Sequence, residues 1–106
     1  MRVLLDECVP KRLRRELPDH VVRTVVEEGW SGIKNGQLLQ LAASHFDCFL
    51  TVDRNLQFQQ NTETLPDSEL TIHAVDNRFE TLLPLMPAIR DALGIIGPNE
   101  LRTVGV

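Results

Sequence analysis

Three short apolar runs in this chain each end in an aspartate: Val3-Leu4-Leu5 leads into Asp6, Phe49-Leu50-Thr51-Val52 into Asp53, and Ile72-His73-Ala74-Val75 into Asp76. Stretches with helical spacing separate them, so strand and helix alternate along the chain. Parallel strands need such crossover connections, and the alternation predicts a mostly parallel sheet covered by helices on both faces. The runs are nearly continuous in apolar character, as strands buried on both sides require.

The elements follow in order. Residues 2–5 predict the first strand. Pro10 suits the first turn of a helix that buries Leu13 and Leu17 and stops at Pro18. The β-branched stretch 21–26 predicts the second strand, and Gly29-Trp30-Ser31-Gly32 a loop. Asn35 is placed as the cap of a helix with Leu38, Leu41 and Ala42 on one face and Leu39 and Ala43 beside them. Residues 48–52 predict the third strand. The polar, Gln-rich stretch 54–69 predicts a short helix and then a loop around Pro66-Asp67, and 70–75 the fourth strand. Leu82, Met86, Ile89 and Leu93 mark a helical face, split by Pro84 and Pro87 and capped by Gly94. Residues 101–106 predict an edge strand. Right-handed crossovers make the order 2-1-3-4 the simplest sheet, with a ligand crevice at the carboxyl ends of strands one and three. The 106 residues form one domain, 1–106, without a repeat or linker.

Composition excludes several classes of protein. Eleven basic residues against fifteen acidic ones give a net charge of −4, so a polyanion would have to be met by a local basic patch or by bound cations. The apolar runs are too short to cross a bilayer, which takes about 20 residues, and the chain enters its first strand without a signal peptide. A cytoplasmic location and no membrane association are expected. Cys8 and Cys48 have neither zinc-site nor redox-pair spacing and read as small packed thiols.

Parallel strands present their carboxyl ends at one edge, so Asp6, Asp53 and Asp76 should gather there, with Glu7 beside Asp6. Aspartate also ends strands because it favours turns, and Asp76-Asn77 also suits the cap of the following helix. Three carboxylates at one edge, however, repel one another unless a cation neutralises them. Hard oxygen ligands select Mg²⁺ or Mn²⁺, and such an ion activates water and clamps phosphate. Lys11, Arg12, Arg14 and Arg15 concentrate positive charge in the helix after strand one, and Arg54 adjoins Asp53; Lys11, Arg12, Arg15 and Arg54 are candidate phosphate contacts. Trp30 reads as the seal of a core edge rather than a base-stacking platform, and His45 and His73 read as structural.

The opening Val3-Leu4-Leu5-Asp6-Glu7-Cys8-Val9-Pro10 resembles the start of the small PIN-like domains of bacteria, and Phe49-Leu50-Thr51-Val52-Asp53-Arg54-Asn55 is similar to their strand running into Thr-x-Asp. The resemblance covers roughly residues 1–95 in order and spacing. It implies a three-layer α/β/α sandwich and Mg²⁺- or Mn²⁺-dependent cleavage of RNA, with Asp6 and Asp53 as catalytic metal ligands and Asp76 as a helper. It also implies a toxin held by an antitoxin-like protein partner, and a homodimer. The chain departs from the family where Asn35 replaces the helix-opening acid and Asn55 a second acid after Thr-x-Asp; with Glu7 these are weak metal or water ligands. An amide offers an oxygen but no charge, so the alternative is a degenerate PIN-like domain that binds RNA or a protein without cleaving. A phosphoacceptor receiver would share the acids after strands one and three. It would also need a late lysine, and the only lysines are Lys11 and Lys34.

Overall fold

A computed structural model describes residues 1–52 and 68–105, apart from the side chain of Asn35. Five strands, β1 (Arg2–Leu5), β2 (Val21–Thr24), β3 (Cys48–Thr51), β4 (Ser68–His73) and β5 (Leu101–Gly105), form one sheet in the order β2-β1-β3-β4-β5. Every neighbouring pair is parallel. The expected order 2-1-3-4 is therefore present, with β5 added outside β4. A 3₁₀ helix (Lys11–Glu16) links β1 to β2, and helix α1 (Asn35–His45) links β2 to β3. Helix α2 (Phe79–Leu82), a 3₁₀ turn (Leu83–Leu85) and helix α3 (Met86–Ile95) link β4 to β5.

The run Val3-Leu4-Leu5 explains why β1 is central. Val3 and Leu5 face one side, where they pack with Leu50, Leu70 and Ile72 beneath Leu13, Leu17, Met86, Ile89 and Leu93. Leu4 faces the other side, with Val25, Phe49 and the Leu38, Leu39, Ala42 and Phe46 positions of α1. Val3, Leu4 and Leu5 are all fully buried, so a polar residue at any of them would lack a hydrogen-bond partner on either face. Trp30 meets Phe46 edge-on at 6.1 Å and His45 at 5.7 Å. It packs against this second core, as the sequence suggests.

Several boundaries differ from expectation. β2 stops at Thr24, before the β-branched Val25 and Val26. The Thr24 and Glu27 side chains and amides bond each other reciprocally, Glu27 N to Thr24 Oγ1 at 3.1 Å and Thr24 N to Glu27 Oε1 at 3.0 Å. This capping-box exchange turns the chain out of the sheet. Lys34, not Asn35, holds the cap position of α1. Ser68 and Glu69 belong to β4 rather than to a loop, and both are buried. Ser68 Oγ donates to the Gly97 carbonyl at 2.6 Å, a partner that hydropathy cannot reveal. Gly94 lies inside α3, which ends at Ile95 with Ile96 as its cap. Pro84 and Pro87 do divide the last helical stretch, Pro84 within the 3₁₀ turn and Pro87 in the first turn of α3. Gly105 has a φ of +104°, and a Cβ there would collide with the His73 carbonyl oxygen. The close approach of β5 to β4 thus requires glycine. Among the described residues no helix is long and apolar enough to cross a membrane.

Candidate functional site

Asp6 follows β1 directly, and its amide still bonds β3 through the Leu50 carbonyl at 2.9 Å. Its backbone is therefore held where the strand order reverses, the position at which open parallel sheets bind ligands. Its side chain is fixed from both sides. Thr51 Oγ1 donates to Oδ2 at 2.7 Å, and Glu7 N donates to Oδ1 at 2.8 Å. Oδ1, with Glu7 N as its partner, keeps a further lone pair. Cys8 Sγ stands 3.5 Å from Oδ2 and 3.6 Å from Thr51 Oγ1. Burial, then the Asp6 carboxylate, pushes this thiol up from its ordinary value of 9.0, so it remains a protonated donor to Asp6 rather than a nucleophile.

Asp6 opens into a cleft of about 400 Å³, with Glu7, Cys8, Lys11, Thr24, Glu27 and Asn77 among its lining residues. The cleft extends from the end of β1 toward the end of β2, whereas the sequence points to the β1–β3 side. Glu7 Oε1 accepts from Gly32 N at 3.3 Å, anchoring the loop after β2. Asn77 Nδ2 donates to the Cys8 carbonyl at 2.8 Å and closes the far wall. Glu27 lies 2.9 Å from Arg14 Nη2 and 4.0 Å from Lys11 Nζ. The Arg14 guanidinium, then the Thr24 amide, holds the Glu27 carboxyl well below its ordinary 4.5, at about 2.

A depressed folded-state value means that Glu27 contributes stability above pH 4.5, lost as pH falls through about 2. Glu27→Gln should therefore flatten the loss of stability between those two values, as read from thermal midpoints across the range. Parallel acid limbs for the two proteins would contradict the assignment.

The structure distributes the sequence-predicted residues unevenly. Asp6, Glu7 and Lys11 share the cleft. Asp76 stands three residues past β4, and Asn77 takes its expected place in the cleft wall. Asp76 turns to the start of α2. The Thr81 hydroxyl and the Arg78 amide hold its carboxyl below the ordinary 3.8, and Arg78 Nε donates to Oδ2 at 3.3 Å. Arg12 lies 4.3 Å over the Phe79 ring, and Arg15 is exposed. Asp53, Arg54, Asn55 and the side chain of Asn35 lie outside the described residues.

Among the described residues no three His, Cys, Asp or Glu side chains come together as a metal-holding group. Asp6 offers an oriented carboxylate, the oxygen-ligand type that hard cations take. Glu27 went unnoticed in the sequence because it follows a stretch read as continuous strand. The Thr24-Val25-Val26-Glu27 spacing, that of a capping box, was the available signal. Comparison with known protein-family models, curated proteins and solved structures gave no match.

Proposed function

We propose that the protein is a metal-dependent ribonuclease of PIN-like type. The observation that supports this most is Asp6: a carboxylate at the carboxyl end of the central strand, oriented by Thr51 Oγ1 and Glu7 N, and open to a cleft. A sheet places its reactive groups at this position, and a carboxylate held by two donors is pre-positioned for a ligand.

In this reading Asp6 and Asp53 hold a single Mg²⁺ or Mn²⁺, with Asp76 a weaker helper on account of its bonds at α2. When bound, such an ion lowers the pKa of water and stabilises charge on a phosphodiester. The remaining work belongs to the chain. Thr51 fixes the Asp6 carboxylate, while Lys11, Arg12, Arg15 and Arg54 hold the RNA backbone by its phosphates. The single-stranded RNA enters along the basic 3₁₀ helix, and the cleft walls at Glu7 and Asn77 limit how the scissile phosphate can lie.

Incubating the purified protein with single-stranded RNA in Mn²⁺ and in EDTA tests the reading. Cleavage in Mn²⁺ and none in EDTA is expected, and equal cleavage in both would refute it. RNA binding without cleavage in either would favour the degenerate, binding-only domain. The commitment of Asp76 to Arg78 and Thr81 and the amides at 35 and 55 motivate that second reading.

A further inference from the structure

Lys11, Arg12, Arg14 and Arg15 line a surface depression of about 390 Å³. Lys11 also lines the Asp6 cleft, so the basic depression and the cleft adjoin. Glu27 stands at their junction. It lies in the cleft wall, and its carboxylate sits against Arg14 and Lys11. Glu27 Oε1 lies 2.9 Å from Arg14 Nη2, so the carboxylate meets the guanidinium through a single nitrogen. Arg14 is thus neutralised in charge by a one-sided contact. A guanidinium fork is better matched by a bidentate phosphate than by this one-sided carboxylate contact.

We propose that Glu27 is an internal stand-in for phosphate: it occupies Arg14 and Lys11 in the free protein, and an incoming phosphate group displaces it from them. Phosphate as the incoming anion rests on the nuclease reading; the geometry of the displaced pair does not. Glu27 Oε1 also accepts from Thr24 N at 3.0 Å, so the turn after β2 holds the carboxylate in place while the Arg14 and Lys11 side chains turn from it to the incoming phosphate. Its role is that of a positioning residue. By holding the two cations at the junction, it keeps the path from the basic depression to Asp6 assembled before any ligand arrives, at some cost in affinity.

The test is an NMR titration of the full chain with inorganic pyrophosphate in EDTA, a probe that needs neither RNA recognition nor metal. Glu27→Gln retains a carbonyl oxygen for Thr24 N, so the turn should persist. It should bind pyrophosphate about two- to fivefold more tightly than the wild type, the range that exposed ion pairs are generally worth. Arg14→Gln should weaken binding and remove the gain when combined with Glu27→Gln. Glu28→Gln makes the same charge change beside Arg23, outside the cleft, and should leave affinity unaltered. Equal affinity in wild type and Glu27→Gln, an equal gain in Glu28→Gln, or no pyrophosphate binding by any of the five proteins would overturn the proposal. Mn²⁺-dependent RNA cleavage is measured separately and decides the nuclease reading on its own.

Discussion

Asp6→Asn should lower Mn²⁺-dependent RNA cleavage by about 10²-fold or more while leaving the fold intact. Loss of a group that merely orients a metal ligand typically costs about 10–100-fold, so loss of the ligand's own charge should cost at least as much. The substitution is close to isosteric. An asparagine carbonyl can accept from Glu7 N as Oδ1 does now, and its amide can donate to the Thr51 hydroxyl, which at present donates to Oδ2. Asp53→Asn should have an effect of similar size. Asp47 provides the control. It accepts from Arg2 N at 2.7 Å, just ahead of β3 at the opposite edge of the sheet, and Asp47→Asn should not affect cleavage. Initial rates on one RNA substrate compare the three variants. If Asp6→Asn retains wild-type activity, or if Asp47→Asn loses as much, Asp6 does not have the role assigned to it.

Phe49→Ala should destabilise the protein by about 3–5 kcal/mol, the usual cost of truncating a buried aromatic ring. Phe49 is fully buried on β3 and is the largest of the fully buried side chains. It packs in the smaller of the two cores with Leu4, Val25, Leu38, Leu39, Ala42 and Phe46. So small a cluster has few neighbours to collapse into the vacated volume, which favours the upper part of the range. Domains of this size have total stabilities of about 5–15 kcal/mol, so the loss is a large share of the whole. A denaturant titration should show the midpoint fall with an unchanged slope. A shift under about 1 kcal/mol would mean that α1 is not seated on this ring.

Sheet order was readable because two independent signals agreed. The Val3-Leu4-Leu5 run is apolar on both faces, which puts β1 inside the sheet, and helix-length spacing between runs makes parallel pairing the economical solution. Element ends were less readable because side-chain bonds determine them. Val25 and Val26 have the β-branched character of a strand, yet the reciprocal Thr24–Glu27 bonds bend the backbone away. Ser68 and Glu69 look like loop residues, yet they pair within the sheet beside Cys48 and Phe49. The place of Asp6 at the cleft was legible because strand-end position alone specifies it. The place of Asp76 was not, since two further residues after β4 let it turn to Arg78 and Thr81. The cleft's lean toward β2 depends on Glu27 and Asn77, whose placement comes from tertiary contacts between segments far apart in the chain.

Crystals soaked in Mn²⁺ and measured at the manganese absorption edge give the most direct trial of a cation-holding carboxylate at the end of β1. An anomalous peak within coordination distance of Asp6 Oδ1 or Oδ2, absent from Asp6→Asn crystals treated alike, is the expected result. A well-ordered Asp6 with no peak beside it at a saturating Mn²⁺ concentration would contradict the account.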